Sequence, residues 1–197
     1  MTSKTDLLIS ELAGGTLPDD AWKKAGFASP GSAAAALSRL ASTFRRLEAS
    51  RPAPVEPPIP EGGYEEVVVN ADGASRGNPG PSSSAAVAYD ITGRRVSSVA
   101  SAIGKATNNV AEYKACLLGL RLASRLGARR VTVRMDSELV VRQLRGEYRI
   151  RNGQLRPLAE AVLREAESFD SCRFEHIPRS ENSDADRLAN DTLDAER

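Results

Sequence analysis

Apolar positions recur along this chain with two different periods, and a proline-rich break separates two regions of different character. After the break, Val67-Val-Val-Asn-Ala reads as a buried strand. Two alternating stretches, residues 84 to 90 and 95 to 103, are joined through Asp90-Ile-Thr-Gly, a hairpin signal. A 3.6-residue period then predicts a helix over residues 108 to 126, with Ala111, Ala115, Leu118 and Leu122 on its core stripe. Residues 130 to 135 predict a fourth strand, followed by a short helix through Leu139, Val140 and Leu144. Residues 155 to 169 predict another helix, 172 to 177 a fifth strand, and 182 to 194 a last helix. Three antiparallel strands followed by alternating helices and strands imply an α/β fold: a five-stranded mixed sheet covered by helices on both faces.

Before the break the pattern is helical. Residues 6 to 12 have helical apolar spacing and end at Gly14-Gly15, and a second helix opens at Pro18 and closes at Gly26. Ser29-Pro30 caps a third, alanine-rich run. A turn followed by a longer helix carrying Arg39, Arg45 and Arg46 suits a helix-turn-helix, and equally a small bundle for protein contacts or tethering. Trp22 and Phe27 are its expected core. The break, residues 50 to 63, holds five prolines and ends in Gly62-Gly63, the composition of a semi-rigid spacer. The expected organisation is therefore a small all-α domain over 1–49, a linker over 50–63 and an α/β domain over 64–197.

Composition changes this picture little. With 41% hydrophobic and 27% charged residues among 197, the chain is an ordinary globular one with material for one sizeable core. No apolar run approaches a membrane span, and the N-terminus lacks the long apolar segment of a secretory signal. Cys116 and Cys172 read as small buried hydrophobes, so a reducing cytoplasm is the expected compartment. The net charge is +1, but Arg142, Arg145, Arg149, Arg151 and Arg156 cluster around a lone acid, Glu147. Such a cluster either contacts backbone phosphates or forms a solvated surface.

Four acids carry the chemistry: Asp72 in Asp72-Gly-Ala-Ser-Arg-Gly-Asn-Pro-Gly-Pro, Glu112 in Thr107-Asn-Asn-Val-Ala-Glu112, Asp136 in Val133-Arg-Met-Asp136-Ser-Glu, and Asp186 in Asn182-Ser-Asp-Ala-Asp186. Asp72 is expected to close the first strand where the glycine-rich segment begins. Asp136 could instead cap the helix that follows, and Asp184 competes with Asp186, since both flank Ala185 on the last helix. Carboxylates brought from distant segments repel one another unless a cation sits among them. Hard divalent ions suit such an oxygen-only set, and their usual work is on phosphate esters.

In this order and spacing, together with Arg76-Gly-Asn-Pro-Gly-Pro and Thr107-Asn-Asn, the segments resemble type 1 ribonuclease H in its compact archaeal and bacterial form, over residues 64 to 195. The resemblance implies the ribonuclease H-like fold. It also implies an endonuclease that hydrolyses the RNA strand of RNA·DNA hybrids to 5′-phosphate and 3′-hydroxyl ends, acting as a monomer, with double-stranded RNA as a further substrate in compact relatives. Two Mg²⁺ or Mn²⁺ ions are implied, held by Asp72, Glu112, Asp136 and Asp186, with Asp72 bridging them. The family pattern of Asn followed four residues later by Asp selects Asp186 over Asp184. Substrate contacts are expected from Asn78, Asn108, Asn109, Ser137 and Glu138, and from Arg145, Arg149 and Arg151. The basic protrusion of larger members has no counterpart here. Nor has their histidine loop, because His176 falls inside the predicted fifth strand, where a structural role is expected. Arg179 takes its place as the group expected at the scissile phosphate.

Overall fold

The computed structural model describes residues 21 to 49 and 56 to 195. The chain divides into two compact units, residues 1 to 55 and 56 to 197.

In the first unit, helices α1 (Ala21–Lys24) and α2 (Pro30–Ala49) are joined by a turn at Gly26. Ser29 and Ser32 cap α2 reciprocally. Ser32 N donates to Ser29 Oγ at 3.2 Å, and Ser29 N donates to Ser32 Oγ at 3.1 Å. Ala25 and Ala33 are buried, with Trp22, Phe27 and Leu37 packed around them. The helix expected over residues 6 to 12 and the start expected at Pro18 lie outside the described residues, as do the side chains of Arg45 and Arg46.

The second unit is built on strands β1 (Glu66–Ser75), β2 (Gly80–Tyr89), β3 (Arg95–Ala106), β4 (Arg130–Met135) and β5 (Ser171–His176). Their order is β3-β2-β1-β4-β5, with β1, β4 and β5 parallel and the two pairings of β2 antiparallel. The helices are α3 (Asn108–Arg125), α4 (Glu138–Leu144), α5 (Arg156–Ala166) and α6 (Ser183–Ala195), with a short 3₁₀ turn at Arg179–Glu181. Successive strand residues point to opposite faces. Accordingly Ser83 Oγ donates to the Ala189 carbonyl of α6 at 2.6 Å, while Ser84 Oγ donates to the Ala111 carbonyl of α3 at 2.8 Å. Helices therefore cover both faces of a mixed sheet.

Two expectations are corrected. β1 does not stop at Asp72 but stays paired to β2 through Ser75, with Asp72 opposite Ala85 and Gly73 opposite Ser84. Gly73 is a contact residue rather than a loop signal. A Cβ there would lie 2.3 Å from the Ala111 carbonyl carbon and 2.4 Å from Glu112 N, so only glycine lets α3 cross β1 this closely. Secondly, α3 is buried over a broad face, not one stripe. Ala111, Ala115 and Leu122 are buried as expected, but so are Tyr113, Cys116, Leu120 and Ala123, while Leu118 is only half-buried. The cause is double coverage, because α3 packs on β1, β2 and β3 and also on α5. The two cysteines are unbonded.

Candidate active site

β1 and β4 lie side by side and parallel, so Asp72 in β1 and Asp136 just after β4 approach the same end of the sheet. The close crossing at Gly73 brings the first turn of α3, with Glu112, over that end. The chain leaving β5 turns through the 3₁₀ segment into α6 and adds Asp186. A cleft of about 190 Å³ results, lined by Asp72, Glu112, Asp136 and Asp186 together with Arg179 and Asn108.

The electrostatics show that the acids share this space. Burial, and next the charges of Asp136, Asp186 and Glu112, push the Asp72 carboxyl from 3.8 up to about 7. Glu112 is raised as well, chiefly by burial, although two donors oppose the rise. Ser137 Oγ donates to its Oε2 at 2.5 Å and Asn108 Nδ2 to its Oε1 at 2.7 Å. Asp136 Oδ1 accepts from Asn182 Nδ2 at 2.8 Å. Asp186 Oδ1 accepts from the Arg179 guanidinium at 2.5 Å. Arg179 is held more firmly protonated by Asp186 first, then by Asp136 and Asp72.

Each of Glu112, Asp136 and Asp186 is thus turned to a donor. Among the described residues no group of three or more histidine, cysteine, aspartate or glutamate side chains stands as it is in an arrangement that could hold a metal ion. The donor set nevertheless fits a hard divalent cation. It is all oxygen, it lines one cleft, and the repulsion that raises Asp72 is what a cation among the four would relieve. The neutral donors to Glu112 and Asp136 leave oxygen lone pairs free for such an ion, whereas Asp186 must exchange the Arg179 guanidinium for it.

The other expected residues are distributed unevenly. Asp184 faces away from the cleft, accepting from Tyr89 Oη at 2.7 Å and from Arg187 at 3.3 Å. Asn78 Oδ1 accepts from Asn108 N at 3.2 Å, and half-buried Asn109 follows, so the three asparagines cluster at the start of α3. Ser137, expected as a substrate contact, donates its hydroxyl proton to Glu112 and so also supports that carboxylate. Asp136 is no helix cap; Ser137 holds the N-cap position of α4 and makes no side-chain cap bond. Glu138 is exposed and pairs with Arg142 at 2.6 Å. The arginine cluster is partly neutralised from within. Arg142 also stacks 5.0 Å from the Tyr148 ring, and Arg145 lies 3.6 Å from Glu147 and donates to the Phe174 carbonyl. Arg149 and Arg151 are exposed on the α4–α5 connection and do not line the cleft. His176 ends β5, exposed and outside the cleft, so no burial supports the structural role expected of it.

Asn182 was not anticipated as a site residue. It is fully buried, and its Nδ2 donates both to the Ala71 carbonyl at 3.1 Å and to Asp136. Its own carbonyl accepts from Asp186 N at 3.0 Å. One residue thus ties, through its side chain, the neighbour of Asp72 and the carboxylate of Asp136, and through its own carbonyl the backbone of Asp186. Its Oδ1 is buried without a partner. An asparagine before a helix ordinarily signals a cap, which hides this role.

Comparison with known proteins places this geometry. A family described as reverse transcriptase-like matches residues 70–192. Ribonuclease H1 of the archaeon Halobacterium salinarum superposes with a TM-score of 0.65 at 38% identity, covering 66% of this chain and 98% of that one. The chain belongs to the type 1 ribonuclease H family. Its five-stranded sheet with helices on both faces is the ribonuclease H fold. A second ribonuclease H1, LC11, solved in complex with an RNA/DNA hybrid, superposes with a TM-score of 0.62 at 35% identity, again over 66% of this chain and 98% of that one. The bifunctional protein Rv2228c of Mycobacterium tuberculosis is 44% identical over 131 residues, which are 66% of this chain but only 36% of that protein. The similarity to that protein is therefore confined to part of its length.

Proposed function

We propose that the chain is a divalent-metal-dependent endonuclease that hydrolyses the RNA strand of RNA·DNA hybrids. The observation that carries the reading is the convergence of four carboxylates from four separate segments on one cleft, with Asp72 raised by burial and then by the charges of the other three. Asp72, Glu112, Asp136 and Asp186 would hold Mg²⁺ or Mn²⁺. The metal, two ions on this proposal, supplies Lewis acidity for attack by water and for departure of the 3′-oxygen. Water oxygen bonds to phosphorus, the bond to the 3′-oxygen breaks, and that oxygen takes up a proton. A 5′-phosphate and a 3′-hydroxyl remain.

The protein's own residues have separable tasks. Ser137 and Asn108 hold Glu112, and Asn182 holds Asp136, so both carboxylates are oriented before substrate arrives. Arg179 is the cleft cation available to the scissile phosphate. Asn78, Asn108 and Asn109 take the minor groove, where 2′-hydroxyls distinguish RNA from DNA. Arg149 and Arg151, exposed beyond the cleft, take backbone phosphates. LC11 ribonuclease H1, similar over the same 66% of the chain, was solved with an RNA/DNA hybrid, which supports the choice of substrate.

The test is incubation of the purified protein with an end-labelled hybrid, with Mg²⁺ or with excess chelator. Cleavage of the RNA strand alone, giving 5′-phosphorylated fragments only when Mg²⁺ is present, is expected. Chelator-resistant cleavage, or cleavage of the DNA strand, would refute the proposal.

A further inference from the structure

We propose that Arg179 is a built-in counter-cation for Asp186. It holds that carboxylate while the cleft lacks a divalent ion, yields it on metal binding, and so sets how tightly the cleft takes the metal. The inference rests on the proposed metal site and goes beyond it, since it assigns Arg179 a task before any nucleic acid is present.

The three supports in the cleft differ in kind. Glu112 is held by a hydroxyl and an amide, and Asp136 by an amide, all neutral groups. They orient a carboxylate without cancelling its charge. Among the described residues, Asp186 alone of the four acids is met by a cation, and Arg179 is the only basic side chain lining the cleft. Four carboxyl groups are thus met by one positive charge, placed on the acid contributed by the last helix.

The construction suits exchange. At its root Arg179 is fixed, because its carbonyl accepts from Asn182 N at 3.0 Å and Asn70 Nδ2 pins the same turn through the Glu181 carbonyl at 3.0 Å. At its tip it is loose: the side chain is 75% exposed, against 28% for Asp186. A guanidinium held this way can leave its partner without disturbing the fold. A metal ion that takes Asp186 must displace this contact, and an exposed pair of this kind resists displacement only modestly. Once released, the guanidinium remains at the cleft with its fork of donors directed by nothing else, where a phosphodiester would arrive.

Calorimetric titration of the metal-stripped full chain with Mg²⁺ at pH 8, paired with thermal melting with and without Mg²⁺, tests this in wild type, Arg179→Gln and Arg179→Lys. Arg179→Gln is expected to bind Mg²⁺ about fivefold more tightly, as loss of a competing pair of this strength allows. It should also melt lower than wild type without metal and gain more on adding Mg²⁺. Arg179→Lys, which keeps the charge, should stay close to wild type. If Arg179→Gln binds Mg²⁺ no more tightly and its melting deficit is the same with and without metal, the residue is merely structural and the proposal is overturned. Weaker binding by Arg179→Gln overturns it too. If the wild type itself takes up no Mg²⁺, the metal site falls and this inference falls with it, an outcome distinct from the other two.

Discussion

Replacing Asp72 with asparagine should make the metal-free protein more stable while removing its activity. Asp72 is 8% exposed, and the pKa of its carboxyl is raised from 3.8 to about 7, first by burial and then by the neighbouring acids. For an acid whose folded value lies above its unfolded one, the stabilising contribution is fully present below about 3.8 and is lost as pH rises through about 7. Ionising Asp72 in the folded state at pH 8 therefore costs about 4 kcal/mol relative to a carboxyl that titrates normally. Side-chain relaxation and bound salt reduce that figure, so a gain of about 2–4 kcal/mol is expected from Asp72→Asn at pH 8. At about 2–4 °C per kcal/mol for a chain of this size, the melting temperature should rise by roughly 5–15 °C. The assay is thermal or urea unfolding of both proteins in chelator at pH 4, 6 and 8. The gain should be near zero at pH 4 and grow with pH. Added Mg²⁺ should reverse the order, because only the wild type retains the full carboxylate set. A gain independent of pH, or a loss at pH 8, would show that burial and the other three acids do not raise Asp72 as described.

Asp186→Asn should reduce hybrid cleavage by at least about 100-fold, the scale of losing a group that acts on the transition state, whereas Asp184→Asn should lose only the stability tied to its Tyr89 hydrogen bond. Comparable losses of turnover would place the wrong acid of α6 in the cleft. Asn182→Ala should destabilise by about 2–3 kcal/mol, since it strands the buried Ala71 carbonyl and frees Asp136, and it should lower kcat more than it raises KM. Wild-type turnover in a variant shown to lack those bonds would remove its positioning role. Removing residues 1 to 55 should leave kcat intact, because every cleft residue lies in the second unit. If the first unit binds nucleic acid, KM should rise and the rise should shrink with added salt; an unchanged KM would assign that unit to protein contacts.

The elements of the second unit were legible because their periods are uncluttered, and the four acids because the order and spacing of their segments resemble the family pattern. What escaped has physical reasons. Gly73 reads as a loop residue in one dimension, and only the 2.3 Å approach of α3 reveals it as strand interior. Leu118 sits on the expected stripe of α3 yet is only half-buried, while Tyr113, whose hydroxyl donates to Gln143 of α4, is fully buried. The support that Ser137 gives Glu112 is a contact 25 residues away in sequence, which no local pattern signals. The arginine cluster counted as net positive charge, but Glu138 and Glu147 fold back on two of its members. Asn182 depends on contacts 111 and 46 residues away, which no local pattern encodes.

The central claim is tested most directly by single-turnover cleavage of three matched duplexes of one sequence, RNA·DNA, RNA·RNA and DNA·DNA, in Mg²⁺, by the wild type beside Asp136→Asn. The account predicts that the wild type cuts the RNA strand of the hybrid fastest, leaves DNA·DNA intact, and loses nearly all activity on every duplex when Asp136 is neutralised. Equal cleavage of hybrid and DNA·DNA, or undiminished hybrid cleavage by Asp136→Asn, would contradict it.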